Sequence, residues 1–295
     1  MPSKSYPSLK EVLISNFNRY TFHLIYLMWK AYRNPFKVLI NSVTNRYPFT
    51  AELKNGQKVT LTREGVYAPR EVAFLYLAKA RGKDIDIEQI DETTVKITYN
   101  GRKILFQNYR QGDIFGVFVN EEYGLVDVKD RTVIDCGAAI GDSTIYFAIK
   151  GARRVLGFEL DPQISKVAED NLRLNGVNSA YILNAGCGKD GTYMLNNDTI
   201  QIPIFSLRTI VERFQVEDGS ILKIDCEGCE YEFLLNESNE TLSRFSQIIM
   251  EYHHGYEALK KKLEKAGFRV KATTPMLVRH PTGNQILGRL YAYRD

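Results

Sequence analysis

Cysteine is scarce in this chain of 295 residues: Cys136, Cys187, Cys226 and Cys229 are all there is. So few, so scattered, they exclude the disulfide framework on which small secreted domains rely. Long apolar runs are also missing. The most apolar early stretch, FHLIYLMW from Phe22 to Trp29, is closed by Arg19 and Lys30 and falls short of the roughly 20 residues a membrane-spanning helix needs. No cleavable leader, internal repeat or low-complexity segment is read, so the expectation is a cytoplasmic protein. Docking on a neighbouring domain is the ordinary use of such an apolar helix; lying on a membrane surface is the alternative.

Charge is nearly balanced overall, at +4, but unevenly placed. Residues 1–60 hold nine basic residues against Glu11 and Glu52, a net +7, which leaves −3 for the remainder. An acidic partner, an anionic membrane or RNA would each suit such a segment, as would a plain solvated helix face. With 44% hydrophobic residues the chain can bury one large core and an appended smaller one.

Helical spacing of Leu13, Phe17, Tyr20, Leu24, Leu27, Met28 and Ala31 predicts helix over residues 9–46, broken at Pro35. From Phe49 short alternating runs take over, with a hairpin turn at Asn100-Gly101 and a helix over PREVAFLYLAKARG. From Val126 strands and helices alternate, and the β-branched strands argue for a parallel sheet covered on both faces. The expected organisation is a basic helical arm (1–48), a small α+β unit (49–125) and a main α/β domain (126–295). That domain is expected to be a Rossmann-like, doubly wound, seven-stranded and mostly parallel sheet, with an antiparallel edge hairpin of FRVKA and GRLYAYR. Ligands bind such sheets beyond the carboxyl ends of the strands, where Asp135, Glu159, Asp225 and Glu251 are expected to emerge.

The stretch VIDCGAAIGDST makes a strand-to-helix loop between Gly137 and Gly141, and Glu159 ends the next strand about 20 residues on. The spacing would suit NAD. Yet GAAIG lacks the central glycine of the dinucleotide fingerprint, and Asp135 sets negative charge where a pyrophosphate would be repelled. A cationic ligand without phosphate removes the conflict. S-adenosylmethionine brings a ribose for Glu159 and an ammonium that Asp135 is expected to attract; the plainer reading has Asp135 capping the loop amides.

VIDCGAAIGDSTIYFAIKGARRVLGFELDP, LKIDCEGCEYEFL and IIMEYHHG together resemble the FkbM-type methyltransferases, a branch of the class I S-adenosylmethionine-dependent enzymes. The likeness covers roughly residues 115–295. Asp135 to Gly141 matches the loop D-x-G-A-x-x-G, shared widely among methyltransferases. Asp225, Glu227, Gly228 and Glu230 match the more specific D-x-E-G-x-E. The resemblance implies that Asp135, Gly137, Ala138 and Gly141, with Asp225 beside them, hold the methionine side. Glu159 and Leu160 would take the ribose, and Asn184 and Ala185 would sit near adenine. It implies O-methylation of a hydroxyl on a saccharide, glycan or other small molecule, with S-adenosyl-L-homocysteine as product.

A hydroxyl acceptor must lose its proton, which calls for a base within hydrogen-bond reach. On an extended strand Asp225 and Glu227 share a face, and Glu251 and His253 repeat that spacing. Any of the four qualifies, and His253 has the ordinary pKa best suited to neutrality. Two carboxylates and a histidine also suit Mg2+, but no dedicated hard-cation loop is readable, and metal is not the expectation. Glu230 is read as favouring a helix N-terminus. Cys226-Glu-Gly-Cys229 is formally C-x-x-C, with Cys226 read as a small buried residue rather than a redox or zinc ligand. The rivals are an RNA methyltransferase that grips phosphate with the basic segment, and a non-catalytic cofactor-binding or membrane-docked adaptor. Nucleic acid is not the expected partner, because DCEG stands where amino-group enzymes carry Asn/Asp-Pro-Pro-aromatic and no Pro-Cys pair is present.

Overall fold

The structure is a computed structural model that describes residues 22–195, 200–280 and 283–294. The first part of the expected arm, 9–21, lies outside the described residues. The chain divides into two compact units, residues 1–105 with 114–120, and residues 106–113 with 121–295.

In the first unit, helix α1 (22–31) leads to α2 (Pro35–Val43), the hairpin β1 (Phe49–Glu52) and β2 (Lys58–Leu61), and α3 (Pro69–Ala80). Helix α2 begins where Pro35 occupies the first turn and the Asn34 side chain accepts the Lys37 N–H, the ordinary start for a helix. Leu27, Met28, Ala31 and Tyr32 share one buried cluster with Ala51, Leu61, Val72 and Ala73. The arm and the α+β segment, expected as separate units, are therefore one core where they are described. Strands β3 (Ile85–Gln89), β4 (Val95–Tyr99) and β5 (Arg102–Phe106) form a three-stranded sheet. The Asn100-Gly101 turn joins β4 to β5 with both residues at positive φ, as that dipeptide predicts.

The second unit is built on a sheet in the order β14-β16-β13-β12-β6-β7-β8. Its strands are β6 (Thr132–Cys136), β7 (Arg154–Glu159), β8 (Ala180–Asn184), β12 (Ser220–Ile224), β13 (Phe245–Tyr252), β14 (Arg269–Ala272) and β16 (Gly283–Tyr293). The five from β8 to β13 run parallel, and β16 is antiparallel to both β13 and β14. The mixed α/β fold and the antiparallel edge agree with expectation. An additional strand, β15 (Met276–His280), pairs with β16 and interrupts what reads as a simple hairpin. The stretch after β8, expected to be irregular, instead holds β9 (Gly186–Cys187), β10 (Gly191–Leu195) and β11 (Ile200–Phe205) in a small sheet.

Every residue of β6 and β12 is buried, so neither strand alternates apolar with polar, and the charged Asp135 and Lys223 stand inside otherwise mostly apolar runs. Ile134, Leu156, Phe158, Leu222, Ile224 and Ile248 supply one large core. The connecting helices are α4 (Asp142–Ile149), α5 (Pro162–Leu174), α6 (Leu207–Arg213), α7 (Glu230–Leu235), α8 (Asn239–Ser243) and α9 (Glu257–Lys265). Helix α5 starts sharply because Pro162 fixes the first turn and Asp161 accepts the N–H groups of Gln163 and Ile164 at 2.7 and 3.1 Å. From β6 the chain runs outward through β7 and β8, then returns to the other side of β6 as β12. The crevice for a ligand in such a sheet lies at that reversal, between β6 and β12.

Candidate active site

The loop that follows β6 is held from beneath. Gly137 and Ala138 donate to the Phe158 carbonyl at 2.9 and 3.0 Å, and Ala139 donates to Glu159 Oε2 at 2.9 Å. Buried Asn171 of α5 ties the far end, donating to the Ile140 carbonyl at 2.9 Å and accepting the Gln107 N–H at 2.9 Å. Gly137 has φ +78°, and a Cβ there would stand 1.7 Å from the Asp225 carbonyl oxygen. Only glycine lets β6 and β12 close at this point.

Asp135 does not present its carboxylate to the loop mouth, so the expected ammonium contact there is corrected. It is fully buried, ion-paired with Lys223 Nζ at 2.9 Å, and its Oδ2 accepts from Ser143 and Thr144 hydroxyls at 2.7 and 2.6 Å. Lys223 also donates to the Gly137 carbonyl at 2.6 Å. Burial opposes the Lys223 charge, but Asp135 and Asp225 outweigh it and hold the ammonium above its ordinary pKa. Together they form a charged strut under the loop rather than a ligand contact. Glu159 fits its assignment better, being half-buried at the strand end with Oε1 accepting the Asp161 N–H at 2.9 Å. Burial raises its pKa. Asn184 donates to the Glu159 and Leu160 carbonyls at 3.0 Å each, while Ala185 is buried.

Across the crevice, Asp225, Glu251 and His253 each bring one side-chain atom within 4.8 Å of the others. Asp225 Oδ2 accepts from the Tyr123 hydroxyl at 3.0 Å. Burial, then the Asp225 charge, push Glu251 up to about 7. Glu122, paired with Arg289, is also pushed up to about 7 by burial. The expected shared face of Asp225 and Glu227 fails, because β12 ends at Ile224 and Glu227 turns through φ +57° into an exposed position. Glu227 reaches His253 Nε2 at 3.3 Å instead, and the other ring nitrogen lies 2.9 Å from Glu230 Oε1.

That sandwich changes the role of His253. Burial pulls its pKa down, but the hydrogen bonds to Glu227 and Glu230 prevail and hold it at about 10. An imidazolium kept charged at neutrality is not the base its ordinary pKa suggests, although with Asp225 and Glu251 its ring offers a set of atoms that could hold a cation. Glu230, read as a helix-start residue, stands at the first position of α7 but is fully buried, accepting the N–H groups of His253 and Gly228 at 2.9 and 3.0 Å. Cys226 and Cys229 are joined in a disulfide that brackets Glu227 and Gly228. The reading of Cys226 as a small buried residue is corrected accordingly: it is half-buried and bonded to Cys229. Lys223, Tyr123, Glu122 and Arg289 were missed. A lysine inside the apolar run ILKID was the one available signal, since a charge in a strand buried on both faces demands a partner.

Residues 135–270 match the methyltransferase FkbM domain. Over that segment the chain is similar to the FkbM methyltransferases. The match begins at Asp135 and takes in the glycine loop, the D-x-E-G-x-E segment and His253, the residues the crevice assembles. An uncharacterised protein of Sulfolobus islandicus rod-shaped virus 1 is 25% identical over 131 residues, 44% of this chain and 66% of that protein. A putative protein N5-glutamine methyltransferase of Methanocaldococcus jannaschii is 39% identical over 57 residues, 19% of this chain and 29% of that protein. Among solved structures, a putative transferase of Pyrococcus horikoshii superposes with a TM-score of 0.41 at 17% identity, covering 75% of this chain and 82% of the other.

Proposed function

We propose that this FkbM-like domain moves a methyl group from S-adenosylmethionine to a hydroxyl of a saccharide or other small acceptor, with Glu251 as the base. The ribose hydroxyls sit on Glu159, over the loop from Gly137 to Gly141. With Asp135 neutralised by Lys223, the half-buried carboxylate of Asp225 supplies the negative charge that the cationic end of the donor requires. Asn184 and Ala185 flank the adenine side.

The observation that supports the assignment is the cluster itself: Glu251 brings a carboxylate oxygen within 4.8 Å of side-chain atoms of Asp225 and His253, and burial, then the Asp225 charge, push its carboxyl up to about 7. A base at that value is half-ionised at neutral pH and accepts the hydroxyl proton as the new O–C bond forms and the C–S bond breaks. S-adenosylhomocysteine leaves with the sulfur electron pair. Alignment in the crevice supplies most of the remaining rate.

The test is calorimetric titration with S-adenosylmethionine, S-adenosylhomocysteine and NAD, followed by single-turnover assays on hydroxylated acceptors. Binding of the two sulfur nucleosides and not NAD is expected, with about tenfold weaker binding in Glu159→Ala, the scale of a lost charge-assisted hydrogen bond. Glu251→Gln should leave affinity intact and slow turnover by about 100-fold or more. Full turnover in Glu251→Gln would remove it as the base, and NAD binding alone would overturn the donor.

A further inference from the structure

Helix α1 is apolar on two sides. Leu27, Met28 and Ala31 face the core, whereas Phe22, Ile25, Tyr26 and Trp29 recur at helical spacing on the outside, with Phe22 66% and Trp29 53% exposed. Helix α2 continues that outer face through Phe36, Ile40 and Val43, with Phe36 62% and Val43 85% exposed. The rings of Trp29 and Phe36 meet edge-on with centroids 5.5 Å apart, so the two rows form one surface. No side chain in the described residues covers it, and lone exposed apolar residues do not line up in this way.

The charge along the same segment is of one sign. Residues 22–51 contain Lys30, Arg33, Lys37 and Arg46 and no carboxylate. Arg33 pairs with Glu52 at 2.9 Å, and Lys30 lies over the Tyr26 ring at 5.6 Å. Aromatic side chains interleaved with cations are suited to a lipid headgroup region. A second copy of this chain packed face to face would oppose cation to cation. No helix among the described residues is long and apolar enough to cross a membrane, so contact would be in the plane of the surface.

We propose that the joined outer face of α1 and α2 seats the protein peripherally on an anionic lipid surface, with Trp29, Phe36 and Val43 entering the interface and Lys30, Lys37 and Arg46 meeting the negative headgroups. Trp29 is the single tryptophan of the chain, so its fluorescence reports the event directly.

The full chain, without cofactor, is floated with vesicles of phosphatidylcholine alone and of phosphatidylcholine mixed with phosphatidylserine, at low and high salt. Expected are co-flotation and a blue shift of Trp29 emission with the anionic vesicles only, weakened by salt. Phe36→Ser with Val43→Ser should lower partitioning about tenfold or more. Lys30→Gln with Lys37→Gln should lower it roughly fivefold per charge and flatten the salt dependence. Thermal unfolding of both variants should stay close to the parent, since all four side chains are exposed and the one hydrogen bond lost, from Lys37 Nζ to the Thr50 carbonyl at 3.0 Å, lies at the surface. No flotation, equal flotation with neutral vesicles, or vesicle-free self-association abolished by Phe36→Ser with Val43→Ser would each overturn the proposal. None of these results bears on methyl transfer, which is measured separately.

Discussion

At the scale of single residues, the crevice rests on charges that never meet solvent. Removing the Lys223 ammonium would leave Asp135 buried and unpaired, a loss of about 3–5 kcal/mol. Lys223→Met should show it in denaturant unfolding, and adding Asp135→Leu should restore part of it; strict additivity in that cycle would mean the two are not coupled. His253 gives a pH signature. Its folded pKa is about 10 against 6.5 for an unperturbed imidazole, so its contribution is fully present below about 6.5 and is lost as pH rises through about 10. The unfolding free energy of the parent should exceed that of His253→Gln most at the acid end, with the gap closing toward pH 10 or so. A gap that widened with pH would mean His253 is buried neutral.

At the scale of elements, the strand-to-helix loop is legible in sequence because glycine positions and an apolar run are local signals. What each glycine does is not. Gly137 and Gly176 both have positive φ, but a Cβ on Gly176 would meet nothing within 4 Å, whereas on Gly137 it would strike the Asp225 carbonyl at 1.7 Å. Gly176→Ala should therefore cost only the left-handed penalty, about 1–2 kcal/mol. Gly137→Ala should cost about 2–5 kcal/mol, strain and overpacking together, by the same unfolding measurement. Equal losses would refute the close approach of β6 to β12. The added strand β15 and the small sheet of β9 to β11 escaped the sequence reading for a different reason. They are short, β9 being two residues and β10 largely exposed, so they lack the five-residue buried runs that mark β6 and β12.

At the scale of the whole molecule, the four cysteines divide by environment. Cys136 and Cys187 are buried thiols, and Cys226 and Cys229 are joined. Alkylation of the folded, unreduced protein should label none of them. Unfolding without reductant should label Cys136 and Cys187, and mild reduction of the folded protein should label Cys226 and Cys229. Labelling of four after unfolding without reductant would exclude the bond. The expected arm and α+β unit also resolve only at this scale: α1, α2, the first hairpin and α3 share a core that no spacing along the chain announces.

Periodicity and local chemistry by themselves determined the α/β class, the parallel sheet with its antiparallel edge, the glycine loop and the strand ends that bear Asp135, Glu159, Asp225 and Glu251. All of these depend on neighbours a few residues apart. Only the tertiary structure decided which of those groups faces the crevice and in what charge state. Burial and ion pairing depend on strands far apart in sequence: Lys223 of β12 cancels Asp135 of β6, and Glu227 and Glu230 turn His253 from a base into a fixed cation. Burial, then the Asp225 charge, push Glu251 up to about 7, as burial does Glu122.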